Sequence, residues 1–244
     1  MNEIPLYTIA GFIAQLVDGV LGMGYGVSAT SLLLSLGVAP AVSSASVHTA
    51  ETVATGFSAY SHYRYGNVMW SLARRLLIPG VIGAAIGAYI LTRIPGETVR
   101  PFIAVYLLLM GALILVKALR RRPAREAHAH LGPLGFAGGF FDAIGGGGWG
   151  PIVVGTLLAR GNEPRTTIGS VNFAEFFVTL AASITFFLTI GLAAWKPIAG
   201  LALGGAFAAP IAARLVGRIP ARPLMIAVGI FVMVLSLRTI VMAL

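Results

Sequence analysis

Four acidic side chains lie within a sequence that is otherwise strongly apolar. The chain has 244 residues, of which 57% are hydrophobic and 10% charged, and only 8 are Asp or Glu. Half of these acids fall in or beside apolar segments: Asp18, Glu51, Asp142 and Glu175. Because ionisable groups are costly in such surroundings, we assign all four to proton coupling or gating.

Two of the acids precede runs of glycine. Asp142 lies in FFDAIGGGGWGP (140–151), and Asp18 precedes VLGMGYGV (20–27). Clustered glycines let the backbone leave a helix, and Pro151 suits the first position of a new one. Bare N–H groups at a helix N-terminus form an anion site, which we favour over simple close packing of small residues. The candidate substrate-binding residues here are Gly22, Gly24, Tyr25, Gly26, Gly146, Gly148, Trp149 and Gly150.

The other two acids end a second pair of motifs, SxHTAE (46–51) and SxNFAE (170–175). Ser46, His48, Ser170 and Asn172 therefore join the candidate substrate site. His48 is the only histidine that we expect within the membrane. Two roles remain open for the glutamates, since each could cap a helix N-terminus or exchange protons during transport.

The elements that must position these residues are transmembrane helices. Long apolar stretches lie at 69–91 in part, 99–118, 173–192, 198–216 and 224–244, and about 20 such residues span a bilayer. The N-terminus has no basic segment before its apolar run, so we expect no cleaved signal peptide. With no cysteine, thiolate metal sites and cysteine nucleophiles are excluded. The formal charge of +9 indicates cytoplasmic loops and no nucleic-acid partner.

The second half of the chain repeats the first. Gly11-Phe12, Asp18, Pro40 and Ser46-Val47 align with Gly135-Phe136, Asp142, Pro164 and Ser170-Val171. One inserted residue later, Arg93-Ile94-Pro95 aligns with Arg218-Ile219-Pro220. We therefore divide the chain into a first membrane repeat (1–118), a basic cytoplasmic linker (119–132) and a second membrane repeat (133–244).

The orientation of the repeats depends on the glycine-broken segments. Pieces of about a dozen residues on either side of the glycines would be too short to cross alone. In one topology each glycine-broken segment enters the membrane and returns to the same side, and in the other it crosses fully. The first places more of the 17 Lys and Arg residues on the cytoplasmic side, with the linker, and the positive-inside rule therefore favours it. We predict an all-α polytopic protein of two inverted repeats. Each is a glycine-broken, re-entrant segment followed by three transmembrane helices, with the site near the midplane.

These motifs resemble the TauE/SafE family of membrane anion exporters over nearly the whole chain. The resemblance rests on GFxxxxxDxxxGxGxG (11–26 and 135–150) and PxxxxxSVxxAE (40–51 and 164–175). It implies a transporter in the cell membrane that exports sulfite or organosulfonates such as sulfoacetate, while some members of the family take up sulfonates. From the repeats we expect a secondary transporter with alternating access, and proton coupling is one of the two roles open to the glutamates. The implied partners are a small sulfur oxyanion and the lipid bilayer, and a homodimer is left open.

Two other functions would also place polar residues at depth. A passive anion channel needs the same pore lining, and proton-gradient dependence would distinguish it. An intramembrane enzyme is disfavoured, because neither HExxH nor GxSxG occurs. We expect no cofactor and no metal site, including at the HAH sequence of residues 128–130.

Overall fold

Helices joined by short turns make up the protein, a computed structural model of which describes residues 4–119, 130–191, 194–216 and 218–243. No strand occurs in these ranges, so the all-α prediction is confirmed. The helices are α1 (Ile4–Leu21), α2 (Tyr25–Ser35), α3 (Pro40–Arg64), α4 (Trp70–Arg93), α5 (Gly96–Leu119), α6 (Leu131–Gly145), α7 (Gly155–Ala159), α8 (Pro164–Ile190), α9 (Trp195–Leu215) and α10 (Ala221–Ala243). Most of the linker, with His128, lies outside the described residues.

Helices α1, α4, α5, α8, α9 and α10 are long and apolar enough to cross a membrane, as expected of a multi-pass protein. Helix α3 is longer than most, with 25 residues, but its Ser, Thr, His and Glu side chains make it too polar for that group. The prediction that the helical pieces on either side of the glycines are too short to cross the bilayer is wrong for α1. Its 18 residues extend about 27 Å, close to the thickness of the hydrocarbon core.

Each half contains a helix break at its glycines. Gly22 and Gly146 have φ angles of 67° and 69°, in the left-handed region that glycine adopts without strain. In the first half α2 begins three residues after Gly22, at Tyr25. In the second half a π-helical turn at Gly150–Val154 contains Pro151 and leads into the short α7. The breaks therefore follow the repeat, although the second continues as a less regular helix.

Two pairs of equivalent helices pack antiparallel across the centre of the molecule. Along α3 and α8, Thr52 lies 3.1 Å from Ser183, Thr55 lies 3.3 Å from Thr179, and Ser58 donates to Asn172. The partner's number falls as the number on α3 rises, so the two helices run in opposite directions. Helices α5 and α10 do the same, since Gly111 lies against Met233, and Leu115 lies against Gly229.

Two further pairs pack parallel, and each joins one half to the other. Helix α1 packs along α9, where Gly11 lies against the Leu201 carbonyl, and α6 packs along α4, where Gly135 lies against the Leu76 carbonyl. Leu76 and Leu201 are equivalent in the repeat, as are Gly11 and Gly135. The contacts thus recur with the roles of the halves exchanged, which is the signature of a two-fold relation.

The first helix and the second form a hairpin. Helix α3 runs parallel to α9, because Ala54 contacts Gly205, and Asn67, just after the end of α3, donates to the Ala213 carbonyl near the end of α9. Since α1 is also parallel to α9, α1 and α3 begin at the same end of the molecule. The α1–α2 hairpin therefore returns the chain to the end from which it started. Its counterpart, formed by α6 and the segment 150–159, enters from the other end.

The hairpin tips meet at the centre of the protein. A Cβ atom on Gly26 would lie 2.8 Å from the Cα atom of Gly147, and Gly150 packs equally closely on Met23. Beside this contact, the Tyr25 hydroxyl donates to the Leu201 carbonyl at 3.1 Å, and Trp149 Nε1 donates to the Val171 carbonyl at 3.3 Å. Both aromatic rings are fully buried and fix the tips against the surrounding helices.

The close approach of parallel helices gives a direct test of the packing. Gly83 lies on α4 against the Phe136 carbonyl of α6, where no Cβ atom fits. We expect Gly83→Val to lower the free energy of unfolding by about 1–3 kcal/mol, the usual cost of overpacking. Thermal unfolding in detergent measures the loss.

Gly132, near the start of α6, has open space around its Cα atom and serves as the control. Gly132→Val should stay within about 0.5 kcal/mol of the wild type, as surface substitutions do. An equal loss in both variants would contradict the α4–α6 contact.

Candidate functional site

Each hairpin break is capped by an aspartate from the preceding helix. Asp142 Oδ1 accepts a hydrogen bond from the Trp149 N–H at 3.0 Å, and Asp18 Oδ1 accepts one from the Tyr25 N–H at 3.5 Å. Both carboxylates are almost fully buried. A carboxylate at a helix N-terminus satisfies an N–H group that has no partner in the helix, and it faces the positive end of the helix dipole. The two helix N-termini therefore already hold negative groups from the protein itself.

His48 joins the first repeat to the second hairpin. Its Nδ1 lies 2.8 Å from the Ser44 carbonyl, which can only accept, so Nδ1 carries a proton. Its Nε2 lies 3.1 Å from Asp142 Oδ2. That contact requires one further proton between the two atoms, and the pair is neutral overall whichever of them holds it.

The equivalent position in the second repeat behaves differently. The Asn172 side chain accepts from the Ser58 hydroxyl at 2.9 Å and donates to the Ile168 carbonyl at 3.2 Å. It does not reach Asp18, whose Oδ2 atom is buried without a hydrogen-bond partner. The two halves of the site therefore share a backbone plan but differ in how their aspartates are neutralised.

Glu51 and Glu175 complete a group of four buried acids. Each exposes 3% or less of its surface, and one carboxylate oxygen of each has no partner. Both interact electrostatically with Asp18 and Asp142. Among the described residues the group forms an ion pair with His48 and none with Lys or Arg. An uncompensated buried charge costs several kcal/mol, so some of these acids must carry protons or share a cation.

A metal ion is one way to balance this charge. His48, Glu51 and Asp142 each offer one ligand atom, and these atoms lie within 4.8 Å of one another. However, His48 and Asp142 already bond directly to each other, and an ion would have to replace that bond. Protons satisfy the same charge requirement without changing the arrangement.

Hydroxyl groups line the interface of α3 and α8 on one side of the acids. Ser46, Thr49 and Ser183 line a cavity of about 220 Å³ that opens at the end of the molecule where α3 begins. Phe186 also lines this cavity, is 1% exposed, and has its ring centre 6.0 Å from that of His48. Phe186 therefore separates the cavity from the buried histidine.

The structure brings together most of the residues predicted from the sequence. The glycines, the four acids and His48 lie at or beside the hairpin tips, whereas Ser46 faces the hydroxyl-lined cavity. The Ser170 hydroxyl donates to the Thr166 carbonyl and accepts from the Met69 N–H, so it fixes the start of α4. Ser46 and Ser170 are thus equivalent in sequence but lie in different surroundings.

Several polar residues near the tips were not predicted. The Thr30 hydroxyl donates to the Gly146 carbonyl, and the Ser44 hydroxyl donates to the Ala143 carbonyl at 2.7 Å. The Tyr106 hydroxyl lies against Gly148 and is buried without a partner. His62 is fully buried as well. Single Ser, Thr and Tyr residues on apolar helices have no pattern that marks them in a sequence.

The contact between His48 and Asp142 is tested by a double-mutant cycle. We expect His48→Gln and Asp142→Asn each to destabilise the protein by about 3–5 kcal/mol, because each leaves a buried partner unpaired. The double variant should lose less than the sum, with a coupling of about 0.5–3 kcal/mol in thermal unfolding.

The equivalent pair in the other repeat provides the control. The losses in the free energy of unfolding caused by Asn172→Gln and Asp18→Asn should be additive in the double variant, since the two side chains do not bond to each other. Additive losses for His48 and Asp142 would show that their contact carries no energy.

Comparison with known proteins agrees with this architecture. The family profile described as "Sulfite exporter TauE/SafE" matches residues 7–239. "Probable membrane transporter protein YtnM" of Bacillus subtilis (strain 168) is 42% identical over 99% of this chain and 84% of its own length. "Probable membrane transporter protein YjnA" of the same organism is 23% identical over 98% of this chain and its full length.

A plant relative matches part of the chain. "Sulfite exporter TauE/SafE family protein 3" of Arabidopsis thaliana is 29% identical over 49% of this chain and 25% of its own length. No solved structure matches the chain significantly. Because the family profile covers nearly all of the sequence, the chain belongs to the TauE/SafE sulfite exporter family and is a multi-pass membrane transporter.

Proposed function

We propose that the protein exports small sulfur oxyanions, such as sulfite or an organosulfonate, by alternating access around the two hairpin tips. The main observation in support of this proposal is the close contact between Gly26 of the first hairpin and Gly147 of the second at the centre of the molecule. Transporters built from inverted repeats bind substrate at the midplane where helices are broken. The description of the family as sulfite exporters supports a sulfur oxyanion as the substrate class.

The same proposal includes opposite orientation of the repeats in the membrane. Its support is the antiparallel packing of α3 with α8 and of α5 with α10. Basic residues also gather at the end of the molecule that carries the linker. The described ones are Arg64, Arg74, Arg75, Lys117, Arg160, Arg165, Arg214, Arg218 and Arg222. By the positive-inside rule this end faces the cytoplasm, and Arg93, Arg100, Lys196 and Arg238 lie at the other end.

Cysteine labelling tests this topology, since the chain has no native cysteine. We expect Arg160→Cys to react with a membrane-impermeant thiol reagent only from the cytoplasm, and Lys196→Cys only from outside. Labelling of intact cells and of inverted vesicles measures the two sides. Reaction of both positions from the same side would contradict opposite orientation of the repeats.

The acids determine how an anion is accommodated. Within the part of the chain that the structure describes, the four carboxylates form no ion pair with Lys or Arg, so an anion there must be met by backbone N–H groups of the hairpins. A second negative charge beside ionised Glu51 or Glu175 would be repelled strongly in a medium of low dielectric constant. The anion is therefore accepted together with protons, and we assign the proton sites to Glu51 and Glu175.

Proton coupling predicts a specific pH dependence. Sulfoacetate keeps its charge between pH 6 and pH 8, so a change in affinity over this range reports on the protein. With one coupled proton, wild-type affinity should rise about tenfold for each unit that the pH falls. Glu51→Gln and Glu175→Gln mimic the protonated acid and should bind sulfoacetate with a flattened pH dependence and without proton-driven uptake in proteoliposomes.

Glu97→Gln is the matched control, because Glu97 is exposed in the first turn of α5. It should keep the wild-type pH dependence. If Glu51→Gln and Glu175→Gln also keep it, both acids are structural. A passive channel would be indicated instead if the proton gradient never raised the internal concentration of sulfoacetate above its own electrochemical equilibrium.

A further inference from the structure

A second polar cavity lies at the end of the molecule that carries the linker. It has a volume of about 520 Å³, and Tyr65, Arg165, Arg214 and Arg218 line it at the ends of α3 and α9 and at the start of α8. We call these four residues and the space between them the arginine basin. It is separate from the hairpin tips and contains three of the protein's cationic side chains.

Hydrogen bonds hold two of the arginines in place and leave most of their donors unused. Arg165 Nε donates to Asn67 Oδ1 at 2.6 Å, and its Nη2 donates to the Tyr65 carbonyl at 3.2 Å. Arg214 Nε donates to the Tyr65 hydroxyl, and its guanidinium lies 5.6 Å from the Tyr65 ring centre. Since a guanidinium has five N–H donors, several remain to face the cavity.

The acid beside the basin does not neutralise it. Glu163 also lines the cavity, but its two carboxylate oxygens accept the N–H groups of Arg165 and Thr166 at 2.9 and 2.7 Å and so cap α8. Among the described residues that line the cavity, one carboxylate stands against three guanidinium groups. Like charges placed around one cavity repel each other, and a bound oxyanion would remove that repulsion.

The basin is not a product of the repeat. At the other end of the molecule, the positions equivalent to Arg165, Arg214 and Arg218 are Ala41, Tyr89 and Arg93. Two of the three cations are therefore missing there, and that end has the hydroxyl-lined cavity closed by Phe186. The two ends differ in charge although the same backbone plan builds both.

Buried polar side chains connect the basin to the first hairpin. Asn67, which holds Arg165, has its Nδ2 3.1 Å from Nδ1 of His62, and both residues are fully buried. The His62 ring also interacts with the backbone of Gly19 on α1, next to Asp18. The side-chain amide of Gln15, one turn before Asp18, is buried without a hydrogen-bond partner among the described residues. At the position of His62 the second repeat has Phe186, so the equivalent approach from the other end is closed by an apolar ring.

We propose that the arginine basin is the cytoplasmic loading site for the transported oxyanion, and that Asn67, His62 and Gln15 lead from it to the hairpin tips. This inference rests on the proposed function and adds the side of loading and the residues that attract the substrate. A sulfonate and a lipid phosphate present the same oxyanion chemistry to arginine, and the experiment must separate them.

The test compares arginine variants in proteoliposomes of known orientation. With sulfoacetate supplied at the basin end, Arg218→Gln and Arg214→Gln should each raise KM about tenfold while leaving the maximal rate within twofold. With sulfoacetate supplied at the other end, KM should not change. Arg218 is the cleaner position, because it is exposed.

Arg222→Gln is the matched control, since it removes one exposed positive charge at the same end of the molecule but outside the cavity. It should change KM less than twofold. An equal rise in Arg222→Gln and Arg218→Gln would mean that only the general surface potential matters, and would overturn the loading site.

The lipid alternative is separated by bilayer composition. The effect of Arg218→Gln should be the same in phosphatidylcholine alone and in bilayers that contain phosphatidylglycerol. An effect confined to phosphatidylglycerol would assign the basin to a lipid headgroup and overturn the proposal. If the wild type carries no oxyanion, the proposed function fails together with the basin. Wild-type transport with an unchanged KM in both arginine variants rejects the basin alone.

Discussion

A helix that is interrupted inside a membrane leaves N–H groups that lipid cannot satisfy, and the rest of this structure depends on how that requirement is met. Asp18 and Asp142 meet it from the preceding helix of each hairpin. Each helix break is therefore accompanied by a buried aspartate. Where two breaks meet tip to tip, the acids meet too, and the centre of the protein becomes a place where negative charge must be neutralised.

The two repeats neutralise it in different ways. Asp142 shares a proton with His48, whereas Asp18 has an unpartnered oxygen because Asn172 bonds elsewhere. The approaches to the centre differ as well, because the second repeat has the apolar Phe186 at the position where the first repeat has His62. A symmetric backbone thus carries an asymmetric lining.

Much of this arrangement could be predicted from the sequence because duplication marks it. Asp18, Glu51 and the glycines recur in order in the second half, and chance does not align acids and glycines so regularly. What lacks a repeated pattern could not be predicted. The length of α1 depends on apolar residues before Gly11 that have no break signal. The contact of Tyr106 with Gly148 joins distant helices through one side chain. Ser170 repeats Ser46 in sequence, but its neighbour Met69 gives it a different hydrogen bond.

The exchange of partners between halves also bears on the order of events during synthesis. Helix α1 packs along α9, so the glycine face of α1 has to wait for a helix that is made about 190 residues later. Until residues near Leu201 leave the ribosome, the surface around Gly11 faces lipid, a holding partner in the membrane or another nascent chain. Chains are completed at about 5–20 residues per second, so this interval lasts on the order of ten seconds or more. Assembly of this protein is therefore a late, concerted event, and its first half is most exposed to quality control before the second half arrives.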